Sequence, residues 1–209
     1  MIASLAQRPA TGSPSDSLAA LRARVARDST DGRAWFDLGR ATWRTLDDVH
    51  AHRGPVDTAW VTATAAEASH AFARAATLRA GTSAGDSARA LQVFVWSESA
   101  FLGWELGDTA GAAAGWAHAP TDLHLPPVLG ELAENLLRAC PRGALILTEN
   151  ISVTYAAWAL RYGRGLRPDL LTIPIERLRA DTVVADRVAA AAKIHRPGTG
   201  AGTEVWVKA

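Results

Sequence analysis

One cysteine, two lysines and no long apolar run set the first limits on this chain. Cys140 stands alone, so no disulfide can close within the chain and no thiolate metal cage can form. Between Ala139 and Pro141, at an expected helix end, it reads as a small buried hydrophobe and says nothing of compartment. No apolar stretch approaches the ~18–20 residues that a membrane-crossing helix needs. A basic arm or stripe is missing too. The 22 basic and 21 acidic side chains are spread along the chain and leave a net charge of +1, so a nucleic-acid role has no electrostatic footprint. There is no glycine-rich phosphate loop. Lysine occurs only at Lys193 and Lys208, and this bias toward arginine, with abundant alanine, suggests a GC-rich bacterial genome.

What is present is ordinary globular composition, 48% hydrophobic and 21% charged, over 209 residues. That length can bury one large core or two small ones. The opening Met1–Ala6, MIASLA, is similar to the end of an export signal. It lacks the basic stretch and the apolar stretch of about 7–15 residues that a signal needs, so a plain N-terminus is the favoured reading.

Punctuation divides the rest. Residues 1–17 form a leader whose Pro/Gly/Ser content does not support folding alone. Ser15 or Asp16 is placed to cap a helix carrying Leu18, Leu21 and Val25 at helical spacing, and Asp31-Gly32 breaks it. A second helix begins near Arg33 with Trp35, Phe36, Leu38 and Trp43. Residues 45–60 interrupt the pattern around Gly54-Pro55, and Asp57 or Thr58 caps a third helix over about 58–79. Helices over about 86–106 and 109–118 follow, separated by Gly107-Asp108.

Beyond Pro120 the character changes. A helix (Val128–Ala139) leads through the Pro141-Arg142-Gly143 turn to a buried strand at Ala144–Leu147. A helix capped near Ser152 runs to about Tyr162, and Leu170–Ile173 reads as a second buried strand. A final helix (Asp181–Ile194) and a short strand (Glu204–Val207) close the chain. Strand–helix–strand at this spacing predicts a parallel βαβ unit. The expected fold is therefore mainly α: helical repeats over 18–122, then a small α/β unit over 123–209.

The helical half resembles tetratricopeptide repeats. Trp96 stands sixteen residues before Ala112, followed by Trp116 and Ala119, as that repeat requires. Trp35-Phe36-Asp37-Leu38-Gly39 matches its opening W-x-x-L-G, and Ala68, Phe72 and Ala75 match its second helix across the inserted 45–60 stretch. Gly103 departs by standing where an aromatic is usual, and the closing proline is absent. An irregular bundle packed with Trp and Ala is the alternative. The resemblance implies stacked helical pairs that make interaction surfaces rather than reaction centres.

The C-terminal half has a second likeness. A helix, Pro141-Arg142-Gly143-Ala144-Leu145-Ile146-Leu147-Thr148 and then Gly165-Leu166-Arg167-Pro168-Asp169-Leu170 resemble the soluble C-terminal region of glycosyltransferase-like bacterial multi-pass membrane proteins. Their acidic G-D-N-D turn is here Glu149-Asn150-Ile151-Ser152. The likeness implies a fold and an extracytoplasmic setting, and it carries no transferase chemistry.

Candidate sites are few. Glu149 and Asn150 fall where the first strand ends and a helix begins, the edge at which open α/β sheets bind ligands. Ser152, Thr154 and Tyr155 lie beside them, and a helix N-terminus attracts anions. The plainer reading is a turn and a cap. Asp47, Asp48, His50 and His52 alone have metal-ligand character, but a solvated loop is favoured there and no metal is expected. His70, His118, His124 and His195 are scattered and no nucleophile stands at triad spacing. Tryptophan is in surplus: Trp35, Trp96 and Trp116 have core places, whereas Trp43, Trp60, Trp104, Trp158 and Trp206 do not all fit one small core. Of these, Trp43, Trp60 and Trp104 are the expected partner contacts, because a large ring gains most at a desolvated interface.

Taken together, the expected function is a non-catalytic interaction subunit that binds other protein subunits, without cofactor. It is expected to brace a larger assembly from outside the membrane, for example a photosynthetic or respiratory one, with a periplasmic setting slightly favoured. A small-molecule or sugar site at Glu149, Asn150, Ser152 and Tyr155 is the alternative.

Overall fold

The computed structural model describes residues 18–51, 57–105, 107 and 109–195, without the side chains of 47–51 and 109. The leader, the Gly54-Pro55 turn and the strand expected at Glu204–Val207 lie outside the described residues, as does Trp206. The chain divides into two compact units, Met1–Pro126 and Pro127–Ala209. The first is helical and the second holds the sheet.

The first unit comprises α1 (Leu18–Arg27), α2 (Gly32–Ala51), α3 (Thr58–Leu78), α4 (Ser83–Glu105) and α5 (Thr109–Trp116). Aspartates set the starts. Asp31 Oδ1 accepts the Arg33 and Ala34 N–H groups at 3.0 and 2.9 Å, while its Oδ2 takes Arg24 Nη2 at 2.8 Å. One carboxylate thus caps α2 and ties it to the end of α1. Asp57 caps α3 by accepting from Ala59 and Trp60. Contrary to the sequence expectation, α2 does not stop near 45 but runs through Asp47 and Asp48 to Ala51. Nothing between Trp43 and Ala51 is glycine or proline, so no breaker stands before Gly54-Pro55.

Packing runs from neighbour to neighbour: α1 on α2, α2 on α3, α3 on α4, α4 on α5, with a slighter contact between α2 and α4. Small residues form the seams. Ala65, Ala68, Ala71 and Ala75 of α3 are fully buried, and Phe72 fills the space between them. Its ring meets Phe36 and Trp43 edge-on, at centroid distances of 5.6 and 6.4 Å. A Cβ on Gly39 would stand 2.8 Å from Phe72 Cδ1, so the glycine is what admits the ring. α4, apolar on all sides and packed against α3, α5 and more slightly α2, is buried on nearly every face from Ala88 to Trp104. Gly103 has the same logic: a Cβ there would reach the Ala112 Cα at 3.1 Å, so the missing aromatic lets the main chains of α4 and α5 close together.

The second unit runs α6 (Pro127–Ala139), β1 (Leu145–Thr148), α7 (Ile151–Trp158), a π-helical turn (Ala159–Gly163), β2 (Leu171–Pro174), α8 (Ile175–Ala180) and α9 (Thr182–Ala192). β1 and β2 pair in parallel, with Leu145 opposite Leu171 and Thr148 opposite Pro174. The fold is mainly helical with one small two-stranded parallel sheet among the described residues. The cap expected near Ser152 is Asn150, whose short amide reaches the Ser152 and Val153 N–H groups. The helix over 151–162 changes to π geometry after Trp158. The final helix expected over Asp181–Ile194 is α9, with Asp181 in extended geometry capping it through Val183 and Val184, whereas α8 before it was not expected.

Candidate functional site

The three tryptophans expected to face a partner have different surroundings. Trp60, in the first turn of α3, is 42% exposed. Trp43 is half-buried, its ring edge-on to Phe72. Trp104 is only 5% exposed and stacks on Phe101 at 5.4 Å, so its ring is part of this chain's own core rather than a free contact. The periodicity of α4 does not reveal this, because a helix apolar on all sides has no distinguishable outer face.

The strand edge near Glu149 is built as a turn and a cap. Glu149 is exposed, while the Asn150 side chain is committed to the Ser152 and Val153 N–H groups at 3.0 and 3.3 Å. Ser152 and Tyr155 are buried, Tyr155 edge-on to Trp158 at 5.4 Å. Thr154 is fully buried, and its hydroxyl meets Thr148 Oγ1 at 2.6 Å. Thr148 also contacts Ile173 O, and Thr154 contacts Asn150 O, so two hydroxyl protons serve three contacts. This is buried polar stitching between α7 and the sheet. Asn150, Ser152 and Tyr155 therefore do not converge on Glu149.

Asp47, Asp48 and His50 lie on the last turns of α2 rather than in a loop, and His52 is outside the described residues. Among the described residues no group of three His, Cys, Asp or Glu could hold a metal ion. His70 meets Trp35 edge-on, while His118 and His195 are exposed.

Two features escaped sequence reasoning. The first is a clamp around Arg167, whose φ of 49° is rare for a residue with a side chain. Its guanidinium donates to the Leu137, Cys140 and Pro141 carbonyls at 2.8, 3.0 and 3.0 Å, closing the C-terminal end of α6. It also makes a bidentate pair with Asp169 at 3.0 Å, and Asp169 accepts the Gly143 N–H at 3.0 Å. The Arg167 hydrogen bonds, then that of Gly143, hold the Asp169 carboxyl well below the usual carboxylate range. A cleft of about 490 Å³ opens beside Cys140, Arg142 and Pro168, but the clamp's own donors are taken up by main-chain carbonyls and by Asp169. The signal was legible as Arg-Pro-Asp; its role required knowing that α6 ends opposite.

The second is a groove in the helical unit. Ala73, Ala76 and Thr77 of α3, with Arg89 and Gln92 of α4, line a cavity of about 370 Å³. Its remaining wall is the stretch Asp122-Leu123-His124, which follows α5. Arg89 is already paired with Asp86 at 2.8 Å.

Comparison with family models, with curated proteins and with solved structures finds no match for this chain.

Proposed function

We propose that this chain is a non-catalytic protein–protein interaction subunit, an accessory or scaffold piece that braces a larger assembly. The observation that carries this reading is the neighbour-to-neighbour packing of α1 to α5 on alanine and glycine seams. A stack of that kind gives each helix pair its own exposed flank, and its extended surface suits recognition of another chain. The likeness to tetratricopeptide repeats belongs to this proposal, and Trp96 and Ala112, two of the residues that carry it, are both buried. Exposed Trp60 supplies an aromatic of the type that dominates interfaces. No described helix is long and apolar enough to cross a membrane; in this proposal any attachment to a membrane assembly runs through partner subunits.

The ligand-site alternative at Glu149 draws no support from the local geometry, since its neighbours act as cap and core. The test is a mild-detergent affinity pull-down from the native organism, read by mass spectrometry and native gel. One stoichiometric set of companion subunits, lost or weakened on Trp60→Ala, is the expected result. A clean monomer with no companions would overturn the reading.

A further inference from the structure

The sheet of the second unit is open on one side. The Leu171 N–H donates to Ala144 O at 3.2 Å, and Leu145 stands opposite Leu171 in parallel register. In a parallel ladder that phase turns both main-chain groups of Ile146 toward β2, and those of Leu145 and Leu147 away from it. Among the described residues nothing bonds to these outward groups of Leu145 and Leu147. The outer side of β2 differs. Thr172 faces out there by the same phase, and its carbonyl accepts Trp158 Nε1–H at 2.8 Å. β1 therefore carries the more open edge.

The two faces of β1 are unequal as well. Thr148 meets Thr154 of α7, so Ile146 and Thr148 face α7 while Leu145 and Leu147 face the other way. On that second face the β2 residues Leu171 and Ile173 are buried, whereas Leu145 and Leu147 are half-buried. A parallel sheet is ordinarily covered on both faces, and most sheets hold more than two strands. What β1 lacks is one neighbour that supplies a ladder and apolar side chains at alternate positions.

We propose that the free edge of β1 is a strand-accepting surface whose occupant is Glu204–Lys208 of this same chain, parallel to β1 and on its far side from β2. Glu204-Val205-Trp206-Val207 has the β-branched and aromatic residues of a strand. With Val205 beside Leu145 and Val207 beside Leu147, both valines fall next to the half-buried leucines, and Trp206 falls beside Ile146. The Leu145 and Leu147 N–H groups then donate to the Glu204 and Trp206 carbonyls, and their own carbonyls accept from Trp206 and Lys208. The chain is long enough. Eight residues, 196–203, lie between His195, the last described residue, and Glu204. Extended, eight residues span about 26 Å, against about 10 Å for the sideways step from β2 past β1. A right-handed return from β2 through helices on the face opposite α7 leads to this edge. A tethered segment also outcompetes a free strand of equal affinity, since its effective concentration is on the order of millimolar.

The measurement is amide hydrogen–deuterium exchange by NMR, on the full chain and on a chain ending at Gly202. In the full chain the Leu145 and Leu147 amides are expected to be protected, as are those of Ile146 and Thr148. Ending the chain at Gly202 should speed exchange at Leu145 and Leu147 by at least about ten-fold. Ile146 and Thr148, whose N–H groups bond to β2, should stay slow. Free exchange of Leu145 and Leu147 in the full chain, or protection that survives the truncation, overturns the proposal. Protection that rises with concentration, alongside a dimer in light scattering, assigns the edge to a second copy and overturns it too. A second measurement covers a truncated chain that does not fold. In a Cys140→Ser background, Leu147→Cys with Val207→Cys places two Cα atoms about 4.8 Å apart, within disulfide range. That pair should close within one chain at least about ten-fold faster than Leu147→Cys with Trp206→Cys, whose side chains point to opposite faces. Equal rates, or disulfides formed mainly between chains, refute the tail as occupant.

Discussion

Gly39→Ala should destabilise this protein although helix propensity alone predicts the reverse. Gly39 lies inside α2, where alanine gains about 1 kcal/mol over glycine. Against that stands the Phe72 ring: the added Cβ falls 2.8, 2.9 and 3.0 Å from Cδ1, Cε1 and Cγ. The shortest is about 0.7 Å inside the ~3.5 Å at which carbon contacts become favourable. Phe72 is fully buried and held edge-on by Phe36 and Trp43, so the ring has no direction in which to yield cheaply. Overpacking of this kind costs about 1–3 kcal/mol, which exceeds the propensity gain and leaves a net loss of up to about 2 kcal/mol. The assay is urea unfolding followed by far-UV circular dichroism, with Gly115→Ala as the control because nothing lies within 4 Å of its Cβ position. In a Phe72→Leu background the ring is gone, so Gly39→Ala should become neutral or stabilising. The double-mutant cycle then gives a coupling above about 1 kcal/mol. Stabilisation by Gly39→Ala in the wild-type background, or additivity of the two changes within about 0.5 kcal/mol, would refute the reasoning.

Gly103→Ala should lower the melting temperature, because the new methyl meets the Ala112 main chain at 3.1–3.2 Å and a backbone cannot rotate away; an unchanged transition would show that α5 is not seated there. Trp158→Phe removes the Nε1–H bond to Thr172 O at 2.8 Å and leaves a buried carbonyl without that donor, at a cost of about 1–3 kcal/mol in chemical denaturation. Asp169 titrates below its ordinary value in the folded chain, so its stabilising effect is complete above the unfolded value of about 3.9 and is lost as pH falls through the lower folded value. Stability measured downward from about pH 5 should therefore keep falling below about pH 3. Asp169→Asn should flatten that limb to the slope left by Asp28 and Asp31, whose carboxyls are likewise held low by hydrogen bonds; identical acid limbs would exclude the clamp. At the strand edge, Asn150→Ala should cost about 1 kcal/mol as a lost cap, whereas Glu149→Gln should stay within about 0.5 kcal/mol. Equal effects from the two changes would mean that Glu149 has a role its exposure does not suggest.

Much of the helical unit could be read from residue spacing. Leu18, Leu21 and Val25 define α1, and the cap of α3 was legible as Asp57 or Thr58, because a short acceptor precedes an alanine-rich run; the structure uses Asp57. Ala68, Phe72 and Ala75 fall on one face at three- and four-residue steps, and all three are fully buried. The two strands were legible as short apolar runs bounded by Gly143 and Pro168. The continuation of α2 past Thr45 was not, because Asp47, Asp48 and His50 are polar and interrupt the apolar rhythm from which a helix is read. Nor was α8, because Ile175–Ala180 has too few residues to show a helical period and follows β2 directly.

The candidate sites were less legible for a physical reason. Residue type shows which side chains have chemistry, but burial and hydrogen bonding decide whether that chemistry is available. Asn150 is an amide that caps a helix, Tyr155 is a phenol set against Trp158, and Trp104 is an indole stacked within the core.

The sequence by itself determined the element types, the small-residue seams, the lone thiol and the want of a long apolar span, because these follow from local periodicity and composition. Tertiary structure decided what those elements meet. It set Phe72 in the gap left by Gly39 and aimed Arg167 at carbonyls some thirty positions upstream, from Leu137 to Pro141. It also brought residues 122–124 back to the α3–α4 groove. Each of those contacts joins positions far apart in the chain, and no local pattern encodes a distance that only packing can close.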